Sequence, residues 1–141
     1  MPVRTAEAVW HGSIGDGHGH MSFGNGAFEG SYSVPSRFED GEGTNPEELL
    51  GAAHAGCFSM ALSSALSNAG HPPNSVQTTA QVSIEKTKAG WTVTKIHLIT
   101  EAEAAGVERE QFLELAETAK QNCPVSRALA GVEISMEASL R

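Results

Sequence analysis

Two cysteines, Cys57 and Cys123, are the side chains of this 141-residue chain best suited to nucleophilic or redox chemistry. A thiolate attacks electrophiles and ligates metals, and its oxidation leads through a sulfenic acid to a disulfide with a second thiol. Cys57 falls mid-way along an uncharged apolar run, where a lone cysteine is most often a small hydrophobe in a core. Cys123 directly precedes Pro124, which puts it at or beside a helix N-terminus, whose positive end favours thiolate over thiol. The two lie too far apart for a Cys-x-x-Cys motif or for the paired short spacings of zinc sites. Spacing alone does not bring the sulfurs together.

The histidines offer a different chemistry. Gly17-His18-Gly19-His20 resembles a small metal clip, and His54 stands three residues before Cys57 on the same helical face. Loop histidines between glycines are usually solvated, however, and no further ligands cluster nearby in sequence. His54 could influence Cys57 at i, i+3, or it could be hydrogen-bonded packing on a buried helix. The glycines do not join a parallel strand to a helix, so a nucleotide-binding reading fails for want of context. Arg37 and Glu47 flank the turn-rich segment 38–44. An arginine ahead of a string of acids is most often a surface ion pair worth ~0–1 kcal/mol. Glu48 has a helix-capping role open to it, which leaves Glu47 as the glutamate without a structural one.

The elements that position these residues follow from periodicity. Three short β runs, around 6–10, 21–23 and 27–33, are separated by glycine-rich turns and predict an antiparallel meander. Asn45 as N-cap, Pro46 at the first helical position and Glu48 at N3 open a helix that carries His54 and Cys57 and runs to about residue 68, with Gly70 and Pro72-Pro73 as stop signals. It is apolar nearly all round, the mark of a buried helix, and its Gly, Ala and Ser content would let another helix approach closely. Alternation at Val76, Thr78, Ala80, Val82 and Ile84, and again at Trp91, Val93, Lys95, His97 and Ile99, predicts a hairpin around Lys88-Ala89-Gly90. An amphipathic helix over about 108–121 follows, then a short helix opened by Pro124, then a closing strand through Val132, Ile134, Met136 and Ala138. The order βββ-α-ββ-α-β predicts a single α+β domain over 1–141, with helices on a largely antiparallel sheet.

Composition narrows the partners. With 9 Lys+Arg against 17 Asp+Glu, a net charge of -8 leaves no cationic surplus for a phosphate backbone, so no nucleic-acid partner is expected. Forty per cent hydrophobic residues suit a packed core, and at this length stability requires neither disulfides nor a structural metal. No stretch reads as a ~20-residue membrane span or a signal peptide, so the expectation is a cytoplasmic protein with no membrane partner. In that reducing compartment two cysteines point to structural thiols, redox chemistry or half of a metal site.

Taken together, Gly43-Thr44-Asn45-Pro46-Glu47-Glu48-Leu49, the run from Ala52 through Cys57-Phe58-Ser59 to Leu62, and Asn122-Cys123-Pro124-Val125-Ser126 resemble the OsmC branch of the OsmC/Ohr family. The resemblance extends along nearly the whole chain, including Ser36-Arg37-Phe38-Glu39 and the hairpin. It implies an intertwined OsmC-like homodimer with a buried central helix, acting as a thiol peroxidase on organic hydroperoxides, and on hydrogen peroxide less well, without metal or other cofactor. By position, Cys57 is similar to the family's peroxidatic cysteine, Cys123 to its resolving cysteine, Arg37 to its active-site arginine and Glu47 to the glutamate that holds that arginine. The implied cycle passes through a sulfenic acid and a disulfide, which a dithiol of the lipoyl type, such as dihydrolipoamide, would reopen.

The residue chemistry agrees. Cleaving an O–O bond needs a stabilised thiolate and a cation for the leaving oxygen, and a guanidinium fixed by a carboxylate serves both. In one straight helix, Glu47 and Cys57 stand ~15 Å apart along the axis, so a shared site would have to draw groups from both chains of a dimer. Two other functions stay open on sequence alone: a non-enzymatic thiol redox sensor or stress-associated binding protein, and a metal-binding domain using His18, His20 and His54.

Overall fold

The β runs near the N-terminus form strands β1 (Ala6–His11), β2 (His18–Phe23) and β3 (Phe28–Tyr32), which pair in that order as the expected antiparallel meander. A computed structural model describes residues 1–141, and these group into two units, Met1–Leu49 and Leu50–Arg141. Strand β2 starts earlier than its apolar pattern indicates because Gly19 is part of it. The rings of Trp10 and Tyr32, with centroids 5.5 Å apart, pack over that position and leave no room for a Cβ. His18 and His20 therefore sit on a strand and not in the loop that their glycine neighbours suggest, and both are exposed as expected.

After β3 the chain turns into a five-residue helix, α1 (Val34–Phe38), which periodicity did not reveal. A reciprocal cap starts it: the Ser36 N–H donates to Ser33 Oγ at 3.3 Å, and the Ser33 N–H donates to Ser36 Oγ at 2.8 Å. The helix α2 (Pro46–Asn68) then opens where Asn45-Pro46 predicts, with the Glu48 N–H on Asn45 Oδ1 at 2.8 Å. The capping box is only half made. The Glu48 carboxylate accepts from the Thr44 hydroxyl at 2.9 Å, and the Asn45 amide is turned to the Ser36 carbonyl at 3.0 Å.

The second unit is built on β4 (Ser75–Thr87), β5 (Gly90–Glu103) and β6 (Glu133–Leu140) in the order β4-β5-β6. The β4–β5 hairpin turns at Lys88-Ala89 with Gly90 at φ +104, a left-handed conformation that favours glycine. The strands thus divide between two three-stranded sheets and not one. Every pairing is antiparallel except β5 with β6, which is parallel, because α3 (Arg109–Asn122) and α4 (Pro124–Ala128) intervene as a crossover. The α+β class and element order expected from sequence are those observed, including the short helix opened by Pro124, with α1 as the one addition.

One stripe of α2, Gly51, His54, Phe58, Leu62 and Leu66, is buried at helical spacing. Gly51 permits the close approach, since a Cβ there would stand 3.3 Å from Val82 on β4. Phe58, Leu62 and Leu66 join Ile96, Leu98 and Ala102 of β5 and Phe112, Ala116 and Ala119 of α3 in one core. Each large side chain so buried contributes about 1.5–3 kcal/mol. The opposite face of α2, with Ala52, Ala53, Gly56 and Met60, is exposed within the single chain, Met60 by 77%. At 23 residues α2 is also long and apolar enough to cross a membrane, contrary to the expectation from sequence that no stretch reaches that length. Here its buried stripe packs into a protein core.

Candidate active site

Cys57 lies on α2 and Cys123 is the N-cap of α4, so the helix terminus inferred from Cys123-Pro124 is present. Both are free thiols, Cys57 half-buried and Cys123 fully buried, and they lie close enough for Cys123 to raise the Cys57 pKa. The first turn of α4 carries amides with no partner inside the helix. The Ser126 N–H donates to Cys123 Sγ at 3.3 Å, and the Val125 amide lies near enough to Cys57 to favour its thiolate. Burial pushes the Cys57 thiol above its ordinary range, and the hydrogen bond and charge of Cys123 add to that, while the Val125 amide opposes it. Within its own unit, then, Cys57 lacks enough positive potential to hold a thiolate comfortably, and a cation is the group that would correct this.

A further hydrogen-bond chain leads away from Cys123. Ser126 Oγ stands 3.1 Å from Cys123 Sγ and 2.7 Å from His54 Nε2. His54 is wholly buried, its Nδ1 has no partner, and burial holds its pKa below the usual histidine value, so the ring is neutral near pH 7. On the two sequence readings of His54, influence on Cys57 or hydrogen-bonded packing, its partner is Ser126, beside the other cysteine. Ser126 was not singled out from sequence. Its signal lies in Cys123-Pro124-Val125-Ser126, where N-cap and N3 positions are three apart.

Arg37 and Glu47 form the other pair, in the first unit. Arg37 Nε donates to Glu47 Oε1 at 2.7 Å, and the guanidinium lies 5.5 Å from the ring centroid of Phe38. Glu47 is 7% exposed and its Oε2 is buried without a partner. The pair is therefore only part-buried: Glu47 is enclosed, while Arg37 keeps 38% of its side chain exposed. The α1 and α2 starts are tied together by Ser36, whose Oγ donates to the Thr44 carbonyl at 2.8 Å and whose carbonyl accepts from Asn45. That tie fixes Arg37, on α1, against Glu47, in the first turn of α2.

The four residues singled out from sequence therefore stand as two pairs, Cys57 with Cys123 and Arg37 with Glu47. The histidines do not form a ligand set: His18 lies beside His11 with ring centroids 5.5 Å apart, His20 is 4.0 Å from Glu29, and His54 bonds Ser126. No group of three His, Cys, Asp or Glu side chains is arranged to hold a metal ion.

A neighbouring thiol pair, one half-buried and the other fully buried, suits a redox cysteine couple. A family profile described as OsmC-like protein matches residues 39–137, a span that contains Glu47, Cys57 and Cys123 and begins just after Arg37. The chain belongs to the OsmC-like family. It is 44% identical over 139 residues to Peroxiredoxin OsmC of Escherichia coli (strain K12), covering 98% of this chain and 96% of that protein. It is 30% identical over 121 residues to the organic hydroperoxide resistance protein OhrB of Bacillus subtilis (strain 168), covering 84% and 88%. The crystal structure of an organic hydroperoxide resistance protein OsmC from Legionella pneumophila matches with a TM-score of 0.70 at 25% identity, covering 99% of this chain and 98% of that one. The resemblance read from the cysteine motifs is thus borne out. Whole-length kinship with a curated peroxiredoxin makes this OsmC-like chain a peroxiredoxin-like peroxidase.

Proposed function

We propose that this protein reduces organic hydroperoxides to alcohols, and hydrogen peroxide less well, through a two-cysteine cycle in which Cys57 is the peroxidatic and Cys123 the resolving thiol. The observation that carries this reading is the closeness of the two thiols, near enough for Cys123 to raise the Cys57 pKa. The Cys57 thiolate attacks one peroxide oxygen, the O–O bond breaks, and the other oxygen leaves as alkoxide and takes a proton to become the alcohol. Two electrons pass from sulfur to peroxide, leaving a sulfenic acid on Cys57. Cys123 then attacks that sulfur, the S–S bond forms, and the sulfenic oxygen leaves as water with the Cys123 proton. A dithiol, of the lipoyl type in our proposal, reopens the bridge by exchange.

Arg37 supplies the cation that a half-buried Cys57 lacks, and it stabilises the developing alkoxide, with Glu47 setting its orientation. Glu47 and Cys57 are carried by one uninterrupted helix, ~15 Å apart along its axis. We therefore assign the working unit to a homodimer in which each site takes Arg37 and Glu47 from one chain and the cysteines from the other. The exposed small and apolar face of α2, at Ala52, Ala53, Gly56 and Met60, supports helix packing across that dimer. The reducing cytoplasm, where dithiols are maintained, is the compartment that suits the cycle.

Turnover tests the proposal. With dihydrolipoamide present, purified protein is expected to consume cumene hydroperoxide in many-fold excess over itself, and Cys57→Ser is expected to consume none above background. A protein that reacts once and stops would be a sensor, and an active Cys57→Ser variant would overturn the role of Cys57.

A further inference from the structure

We infer that His54 and Ser126 are positioning residues for the resolving step: the imidazole fixes the Ser126 hydroxyl on the Cys123 sulfur and so aims that sulfur at the oxidised Cys57. The inference rests on the two-cysteine reading above and goes beyond it, since neither residue would touch the peroxide.

His54 is wholly buried, with Nε2 2.7 Å from Ser126 Oγ and Nδ1 facing no hydrogen-bonding group. A neutral ring carries one N–H. On Nδ1 that proton would be a buried donor without an acceptor, a rarer state in proteins than an unfilled acceptor lone pair. The proton therefore belongs on Nε2 and is donated to Ser126 Oγ. A serine hydroxyl that accepts from the ring has its own single proton left to give, and Cys123 Sγ is 3.1 Å away. The Ser126 backbone N–H reaches the same sulfur at 3.3 Å. One residue thus places two donors on Cys123 from fixed directions, and the histidine removes the rotational freedom of the first.

The consequence is directional. Once Cys123 has given up its proton, two of the three lone pairs of its thiolate are taken by Ser126 and the third is left to face Cys57, the thiol it already perturbs. When Cys57 carries a sulfenic acid, that lone pair attacks its sulfur from the side opposite the departing oxygen. The S–S bond forms as the S–O bond breaks, and the oxygen leaves as hydroxide and takes up the proton that Cys123 released, to give water. Cys123 sulfur is oxidised and Cys57 sulfur reduced by the same amount, so no further reactant is consumed.

The test separates the two steps in a single turnover with cumene hydroperoxide, following sulfenic acid by dimedone trapping and disulfide by intact mass. Ser126→Ala and His54→Leu are expected to lower the rate of disulfide formation, relative to sulfenic acid formation, about tenfold, the effect of one lost hydrogen bond. Ser126→Thr and His54→Gln, which restore a hydroxyl and an ε-position N–H, are expected to recover most of it. Should His54→Leu fail to fold, the Ser126→Ala and Ser126→Thr pair decides alone. Ser126→Ala condensing at the unmodified rate would overturn the inference while leaving the cycle intact. Ser126→Thr as slow as Ser126→Ala would reduce the effect to packing and overturn it equally. Unmodified protein that formed no disulfide would instead remove the cycle, and this inference with it.

Discussion

Arg37 meets Glu47 through Nε, 2.7 Å from Oε1, and not through the forked end of its guanidinium. A guanidinium held along its Nε edge keeps its position while its terminal nitrogens point to another anion, whereas a fork-on carboxylate contact would occupy them. Glu47 thereby acts as a brace.

The brace predicts a graded loss. Arg37→Lys keeps the charge but loses the planar fork, and Glu47→Gln keeps the shape but weakens the hold. Both are expected to lower kcat/KM for cumene hydroperoxide on the order of ten- to a hundredfold, the scale seen when a partner orienting a catalytic group is lost. Steady-state kinetics with Arg37→Lys at the unmodified kcat/KM would contradict a positional role for the guanidinium.

Removing Cys123 should make Cys57 more reactive toward a simple alkylating agent. Burial raises the Cys57 thiol first, and the hydrogen bond and charge of Cys123 raise it further. Cys123→Ser removes the charge, so the thiolate fraction of Cys57 at pH 7 rises and iodoacetamide labels it faster than in the unmodified protein. The same variant should hold a dimedone-reactive sulfenic acid after one equivalent of hydroperoxide. Slower labelling of Cys57 would show that the two thiols do not compete.

Acid should destabilise the fold through His54. Its pKa is lowered in the folded protein because burial penalises the imidazolium, while the unfolded chain takes up a proton near the ordinary value of 6.5. Stability contributed by the neutral ring is complete above that value. It is lost as pH falls from there toward the lowered folded value, at up to about 1.4 kcal/mol per pH unit. Urea unfolding between pH 8 and 5 should show this slope, and His54→Gln should flatten it. Equal slopes in the two proteins would contradict a buried neutral histidine.

The bare face of α2 predicts association. Gly56 and Ala53 are exposed in the single chain, so Gly56→Glu or Ala53→Glu disturbs no internal packing. The unmodified protein is expected to sediment as a dimer, and either variant to shift toward monomer with at least a tenfold loss of peroxidase activity, since a charge in a close helix contact is costly. An active monomer would remove the two-chain site.

The sequence carried some of this architecture plainly. Asn45-Pro46 marked the start of α2, and alternation from Val76 to Ile99 marked the hairpin, because caps and strand faces are local signals. The helix α1 was not legible, since five residues capped by Ser33 and Ser36 show no periodicity, and Arg37 sits on it. The direction of β6 was not legible either, because alternation at Ile134, Met136 and Ala138 is the same for parallel and antiparallel pairing. At the site, Cys123-Pro124 announced an N-cap correctly, whereas the meeting of Cys123 with Cys57 depends on long-range packing of α2 and α4 that no spacing encodes. His54 was read either as acting on Cys57 at i, i+3 or as hydrogen-bonded packing on a buried helix, and its buried ring bonded to Ser126 is the second of these.

Oxidation by hydroperoxide should join Cys57 to Cys123. Reduced protein treated with one equivalent of cumene hydroperoxide, then alkylated, digested and mapped by mass spectrometry, tests it directly. The expected result is an intact mass lower by two hydrogens, about 2 Da, and a single linked peptide pair joining Cys57 to Cys123. A stable sulfenic or sulfinic acid on Cys57 with Cys123 still free to alkylate would contradict it.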